Sequence, residues 1–296
     1  MKKQHLLSAL FLGFLLALCS PAFAQYKIED LSARADLYDI QNSVQHYKYS
    51  NYYLLTKVER WIYDTIYPAI SNAEPTAILP YYSTLDDDVD GNAINNAVNA
   101  IRIDHPEFGW IDNYYKSSRY VKNSSGNYDL EITFAYNSLA SNAKYYQREF
   151  EAAAEKLLSY ARRHKTLVEQ ERYIFDYLKS EIAYVKSDLD QTGYATLVMK
   201  SAVCGGFAIT FNYLMERLGI PSYYVLGYTD NGVFHAWNLT YINGRWVYVD
   251  TTTTKNGIQT RYQLAYSEER TFNHPINDSF HASPTNEYFP TSRMPI

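Results

Sequence analysis

The stretch Ser201-Ala202-Val203-Cys204-Gly205-Gly206-Phe207 decides how the rest of the chain is interpreted. The apolar residues that follow it recur at the 3.6-residue spacing of an α-helix, and the pattern stops before Pro221. These residues are Phe207, Phe211, Leu214, Met215 and Leu218. Cys204 therefore opens a predicted helix. A helix N-terminus carries partial positive charge and free N–H groups, which stabilise a thiolate and lower its pKa.

Downstream, two strand-like runs flank Asn243-Gly244, the strongest short-range signal for a β-hairpin. A two-residue turn there sets Ile242 opposite Arg245 and, counted outward, Trp237 opposite Asp250. Side chains on one strand repeat every second residue, so His235 and Asp250 project from the same face as diagonal neighbours. A register slip of one residue would place them on opposite faces.

A nucleophilic thiol needs a base, and the base needs an orienting acceptor. The candidate catalytic residues are therefore Cys204, His235 and Asp250. The backbone N–H of Cys204 can donate to a developing oxyanion, and Gly205 and Gly206 are expected to let a substrate backbone approach closely. The side-chain oxyanion donor stays open between two residues, Gln191 and Tyr194.

The residues from about Asp190 to Thr254 resemble the core of the transglutaminase-like superfamily, whose members share a papain-like Cys-His-Asp centre. The resemblance is carried by four segments: LVMKSAVCGGF at 197–207, LGIP at 218–221, HAWN at 235–238 and GRWVYVDTT at 244–252. It implies an α+β fold with the Cys-bearing helix packed on an antiparallel sheet, and the three catalytic roles at Cys204, His235 and Asp250. The four threonines after Asp250 depart from the Asp-Val-Thr-Trp or Asp-Pro-Thr of many such cores.

The chain divides by pattern into four parts. Residues 1–24 are a predicted signal peptide, 25–140 an N-terminal α/β accessory region, 141–254 the thiol domain and 255–296 a C-terminal extension. Within them we expect a helix over 86–103 with acids in its first turn, a hairpin over 119–136, two helices over 140–184 with a break near His164, and strands over 223–228, 235–242 and 245–252. The segment IRIDHPEFGW at 101–110 also resembles one that precedes this core in secreted bacterial members.

The first residues predict export. Lys2 and Lys3 precede an apolar run over 6–18, and Ala22-Phe23-Ala24 is a small-residue cleavage site. Cleavage after Ala24 removes Cys19, which leaves Cys204 as the one thiol of a secreted or periplasmic protein. No later run approaches the 18 apolar residues of a membrane span. The lipobox-like stretch ending at Cys19 leaves a lipoprotein as the alternative, although Leu18 is larger than such sites usually accept.

Composition excludes several classes of function. Hydrophobic residues make up 47% and charged residues 20% of the chain, and the net charge of −5 provides no field for nucleic acid. No P-loop, Gly-x-Ser-x-Gly or zinc-protease motif occurs, so neither a cofactor nor a metal is predicted. The acidic run that starts at Asp86 begins like a calcium loop, but Ala97 stands where that loop needs a bidentate Glu.

These observations predict an exported thiol enzyme that transfers an acyl group from peptide or amide bonds through a thioester. Water as acceptor makes it a cysteine peptidase or amidase, which we favour. An amine as acceptor makes it a transglutaminase that crosslinks glutamine side chains. The alternative from another class is a non-catalytic envelope module that binds peptide or glycan. The expected partner is a protein or peptide substrate, and the oligomeric state is left open.

Overall fold

The computed structural model describes residues 50–80, 89–228 and 234–252. Within them lie six α-helices: α1 (Lys57–Ser71), α2 (Gly91–Asp104), α3 (Ala143–Ala161), α4 (Leu167–Glu181), α5 (Gly193–Leu197) and α6 (Cys204–Arg217). The strands are β1 (Thr76–Leu79), β2 (Ile111–Lys122), β3 (Tyr128–Tyr136), β4 (Ala183–Tyr184), β5 (Ser201–Ala202), β6 (Ser222–Tyr228), β7 (Phe234–Ile242) and β8 (Arg245–Val249). Two 3₁₀ helices, Asn51–Leu54 and Ser138–Asn142, complete the described elements.

The N-terminal half packs helices on a small antiparallel sheet with strand order β1-β3-β2. Helix α1 begins at a capping box, in which the Thr56 hydroxyl accepts from the Glu59 N–H and the Glu59 carboxylate accepts from the Thr56 N–H. The buried faces of α1 and α2 meet the sheet in one apolar cluster. Trp110 closes this cluster by donating its indole N–H to the Ile70 carbonyl, at 2.9 Å.

The C-terminal half surrounds helix α6, which is buried along almost its whole length. Helices α3 and α4 cover one side, and the antiparallel sheet β6-β7-β8 covers another. Buried Asn238 on β7 donates its side-chain amide to the Ala208 carbonyl at 3.0 Å, which ties the sheet to the first turns of α6. The predicted α+β class, with the Cys-bearing helix packed on an antiparallel sheet, is confirmed.

Most predicted elements are found with small shifts at their ends. The hairpin over 119–136, the paired helices α3 and α4 and the three last strands are present. The helix expected from residue 86 begins instead at Gly91, because Asp90 caps it by accepting the Ala93 N–H at 2.8 Å. The prediction of acids in its first turn was therefore wrong. The last strand ends at Val249 rather than Thr252.

Several predictions lie outside the described residues: the signal peptide over 1–24, the acidic run at 86–88 and the extension over 255–296. Within the described parts of the chain, no helix has the length and apolarity needed to cross a membrane. Helix α1 was not predicted from the sequence, and Pro68, a residue that usually breaks a helix, lies inside it.

Candidate active site

Cys204 is the first residue of helix α6, as the sequence predicts. The preceding residue, Val203, is the helix N-cap and donates its N–H to the Asp190 carbonyl at 3.0 Å. Strand β5 ends at Ala202 and pairs in parallel with β4. The thiol is partly exposed. The hydrogen bond of Val203 and the pairing of β5 with β4 thus fix the start of α6, which holds the Cys204 side chain at the positive end of the helix dipole.

The hairpin has the register that the sequence predicts. Asn243 and Gly244 both have positive φ, 52° and 77°, as a two-residue turn of this type requires, and Ile242 pairs with Arg245. His235 and Asp250 consequently lie on one face. The Nε2 atom of His235 is 2.9 Å from Oδ2 of Asp250, and the other carboxylate oxygen accepts the Thr252 N–H at 2.8 Å.

The structure brings all three predicted site residues together. His235 is hydrogen-bonded to the Cys204 thiol as well as to Asp250. Its imidazole also stacks on Trp237, with ring centroids 5.9 Å apart. Trp237 is buried in the sheet against Val225 and Leu239, so it forms the wall behind the imidazole. The aromatic wall and the carboxylate together fix the ring plane of His235.

The pKa values of the three groups favour the charged form of each. Burial alone would raise the pKa of the Cys204 thiol, but the hydrogen bond and charge of His235, with the N–H groups of Ala236 and Gly205, lower it overall. Burial opposes the His235 cation, yet Asp250 and Cys204 raise its pKa to about 10. The pKa of Asp250 is lowered, because its hydrogen bonds from His235 and Thr252 outweigh burial. The three shifts are in the directions expected of a thiolate–imidazolium pair held by a carboxylate.

The glycines after Cys204 have a different role from the one expected. A Cβ on Gly206 would lie 2.5 Å from the Asp190 carbonyl oxygen, and a Cβ on Gly205 would overlap the side-chain oxygen of Gln191. The protein's own segment 190–191 therefore fills the space that the sequence analysis assigned to a substrate backbone. That prediction was wrong: the glycines let this segment pack against the start of α6.

One residue at the site was missed by the sequence analysis. The Tyr184 hydroxyl is hydrogen-bonded to both the side chain and the backbone N–H of Cys204. Burial is the main cause of its raised pKa, so the hydroxyl keeps its proton at neutral pH. Of the two residues suggested as oxyanion donors, Gln191 lines the cleft beside Cys204, whereas Tyr194 packs on Tyr146, away from it.

A cleft of about 560 Å³ opens in front of the thiol and is lined by both halves of the molecule. The C-terminal half contributes Cys204, His235, Tyr184 and Gln191, among others, and the N-terminal half contributes Asn99, Arg102 and Asn113. Within the described residues, no group of three or more His, Cys, Asp or Glu side chains is placed to hold a metal ion. The cleft is large enough for a few residues of a peptide.

One family model matches the thiol-bearing part of the chain. Residues 151–251 match the model of the transglutaminase-like superfamily, which confirms the resemblance seen in the sequence. This match includes Cys204, His235 and Asp250, and it excludes the residues of the N-terminal half that line the cleft. No curated protein is a significant match to the chain.

Solved structures give only distant likenesses. A structure described as a TGase shows 18% identity and a TM-score of 0.33, covering 58% of this chain and 50% of its own. A candidate cysteine protease from Cytophaga hutchinsonii shows 15% identity and a TM-score of 0.31, and the match covers 46% of this chain and 61% of that protein. A candidate protease from Parabacteroides distasonis shows 13% identity and a TM-score of 0.28, and the match covers 45% of this chain and 35% of that protein. The chain thus spans half the length of the first of these proteins.

Proposed function

We propose, on the match of residues 151–251 to the transglutaminase-like superfamily and on the geometry of the cleft, that this protein is a thiol enzyme that hydrolyses peptide or amide bonds. The observation that carries the proposal is the continuous contact from Cys204 through His235 to Asp250 at the floor of an open cleft. Nucleophile, base and orienting carboxylate are recognised by such mutual contacts.

In the first half-reaction the Cys204 thiolate attacks the acyl carbon of the substrate. The carbonyl oxygen becomes an oxyanion, which replaces the contact between the Tyr184 hydroxyl and the Cys204 N–H and accepts a hydrogen bond from each of them. The C–N bond then breaks, and the leaving amine takes the proton from the His235 imidazolium. A thioester on Cys204 and a neutral imidazole result.

Tyr184 is proposed as the side-chain oxyanion donor because its hydroxyl already contacts both atoms that flank the oxyanion position, the thiol sulfur and the backbone nitrogen of Cys204. Strand β4 holds the tyrosine in place, because Val185 donates its N–H to the Ala202 carbonyl, two residues before the nucleophile. Gln191 lies against Gly205 and is the second candidate donor.

In the second half-reaction water attacks the thioester while neutral His235 takes a proton from it. The acid product leaves, and the thiolate–imidazolium pair is restored. Asp250 stays ionised throughout and holds the imidazole in one orientation. An amine in place of water would give a new amide by the same steps, which is the transglutaminase reaction.

Export is also part of the proposal and rests on the sequence alone. The basic start, the apolar run and the Ala-x-Ala site predict cleavage after Ala24 and a periplasmic or extracellular location. Sequencing the N-terminus of the protein recovered from the periplasm and from the medium tests this directly. A mature chain that begins at Gln25 supports it, and a chain that retains Met1 contradicts it.

One assay separates hydrolysis from its two alternatives. The mature protein is incubated with casein and a dansylated amine, beside a Cys204→Ala variant. Hydrolysis predicts new peptide fragments with little covalent fluorescence, and only from the unsubstituted protein. Covalent dansyl incorporation would instead establish transamidation. If neither the unsubstituted protein nor Cys204→Ala gives fragments or dansylated product, and Cys204→Ala retains the full biological effect of the protein, the protein is a binding module.

A further inference from the structure

The cleft contains a buried cation that the proposed reaction does not use. Arg102 lies in the last turn of α2, and its side chain is 8% exposed. Over residues 50–80, 89–228 and 234–252, none of the ion pairs includes Arg102, and its Nε–H has no hydrogen-bond partner. Burying a guanidinium without a paired carboxylate is costly, and Arg102 lines the cleft, so its guanidinium is a candidate site for an anion.

The side chain of Tyr224 lies between Arg102 and the start of helix α6, which carries the nucleophile. Its guanidinium is hydrogen-bonded to the hydroxyl of buried Tyr224. The same hydroxyl is 3.4 Å from the position that a Cβ of Gly205 would occupy, directly after Cys204. Because an extended peptide advances about 3.3 Å per residue, a group held by Arg102 belongs to a substrate residue near the scissile bond.

Arg102 has acidic neighbours but no ion-pair partner among the described residues. Burial raises the pKa of the partly buried Asp112 carboxyl, and the nearby Arg102 cation lowers it by a smaller amount. Asp112 and Arg102 form no ion pair within the described residues. Asp190 also lines the cleft, and its carboxylate accepts the Ser187 N–H at 3.1 Å. The other basic side chains that line the cleft are His235, which is bonded to Asp250, and Lys186, which is exposed.

The backbone that carries Arg102 is held firmly. Two residues further on, the buried Asp104 carboxylate accepts the Asn51 N–H at 2.7 Å, the Asn51 side-chain amide at 2.8 Å and the Tyr52 N–H at 3.0 Å. These bonds anchor the end of α2 to the segment before α1. The backbone that carries Arg102 is therefore fixed, which favours a preorganised binding site.

We propose that Arg102 binds a carboxylate of the substrate next to the scissile amide, so that the enzyme selects peptides with a negative charge at this place. This inference rests on the proposed function, because it takes Cys204 as the nucleophile. The carboxylate has two possible sources, the free C-terminus of the leaving residue or an acidic side chain beside the scissile bond. A guanidinium binds both, as a two-pronged donor to two oxygens.

Three alkylating probes test this without requiring a known substrate. Iodoacetyl-glycine carries a terminal carboxylate, iodoacetyl-isoasparagine (the α-amide of aspartic acid) carries a side-chain carboxylate, and iodoacetyl-glycinamide is neutral. Rates of Cys204 labelling, divided by the rates with free cysteine, are measured at low and high salt. We expect at least one charged probe to label Cys204 about tenfold faster than the neutral probe, with an advantage that shrinks in salt. The faster charged probe identifies the source.

Variants then assign the preference to Arg102. We expect Arg102→Gln to remove the advantage of the charged probe, Arg102→Lys to keep part of it, and the control Lys186→Gln to keep most of it. Equal rates for all three probes in the unsubstituted protein, or loss of the preference in Lys186→Gln alone, would overturn the inference while leaving the proposed function intact. If no probe labels Cys204 faster than free cysteine, the proposed function fails and the inference fails with it.

Discussion

The imidazole of His235 lies between two acids, with its Nε2 atom 2.9 Å from Oδ2 of Asp250 and its ring hydrogen-bonded to the Cys204 thiol. Because Asp250 occupies Nε2, the nitrogen left to face the sulfur is Nδ1. His235 lies on β7 and Asp250 directly follows β8, and Asn243-Gly244 sets the register of this hairpin. A local turn signal thereby positions a base and its orienting carboxylate.

Replacing Asp250 by Asn tests the orienting role. The neutral amide cannot stabilise the imidazolium, so the pKa of His235 should fall and the thiolate should be less populated at neutral pH. We expect hydrolysis to slow by roughly 10²-fold or more. The matched control is Asp176→Asn, which removes an exposed carboxylate paired with Arg172 on the surface of α4. Equal activity of Asp250→Asn and the control would contradict the assigned role.

Replacing Tyr184 by Phe removes one proposed oxyanion donor and keeps the ring. The loss of one such donor costs on the order of 10²-fold in kcat. Alkylation by iodoacetamide passes through no oxyanion, so labelling of Cys204 should be nearly unchanged in the same variant. Tyr194→Phe, which lies outside the cleft, serves as the control and should keep full kcat. Parallel losses in hydrolysis and alkylation would mean that Tyr184 only positions the thiol.

The two glycines after Cys204 should respond differently to substitution by alanine. A Cβ on Gly206 meets the Asp190 backbone oxygen, which cannot move away cheaply, whereas a Cβ on Gly205 meets the flexible end of Gln191. We expect Gly206→Ala to lower the free energy of unfolding by about 2 kcal/mol. Gly205→Ala should lower it less and should displace Gln191. Urea denaturation of both variants measures the difference, and equal losses would contradict the packing described.

Glu216 makes the stability of the fold depend on pH. Burial, followed by the nearby Asp104 carboxylate, raises the pKa of Glu216 to about 7. The folded state therefore binds more protons than the unfolded state between pH 4.5 and 7, and its stability falls as pH rises through this window. Glu216→Gln should remove this fall and be more stable than the parent by about 1–3 kcal/mol above pH 7.

Unfolding midpoints at pH 4 and pH 8 test this prediction. The control is Glu155→Gln, which alters an exposed carboxylate paired with Arg162 on α3 and should leave the pH dependence unchanged. A Glu216→Gln variant that loses stability with rising pH as steeply as the parent would refute the assignment.

The parts of the site that were predictable depend on local signals. Asn243-Gly244 admits one tight turn, and that turn fixes which residues of two neighbouring strands face each other. The apolar spacing after Cys204 likewise marks a helix start without reference to the rest of the chain. Local signals therefore predict the His235–Asp250 pair and the helix start at Cys204, and the resemblance to the transglutaminase-like superfamily brings the thiol to the pair.

The parts that were not predictable depend on long-range packing. Tyr184 reaches Cys204 through a parallel pair of two-residue strands, too short to leave a periodic pattern, and it is one of 31 tyrosines. Arg102 reaches the cleft only because the N-terminal half packs beside the thiol-bearing half. The space beside Gly205 and Gly206 was misassigned for the same reason, since the segment that fills it precedes Cys204 by more than ten residues.

The most direct test of the account is the pH dependence of Cys204 alkylation by iodoacetamide in the folded mature protein, with His235→Ala alongside. An isolated thiol titrates near about 8.5, whereas a thiol paired with histidine at a helix start titrates at about 3.5–7.5. The account predicts fast labelling well below pH 7, which becomes slow in His235→Ala. Labelling that stays slow until pH 8, or that is unchanged by His235→Ala, would contradict the thiolate–imidazolium pair on which the proposed function rests.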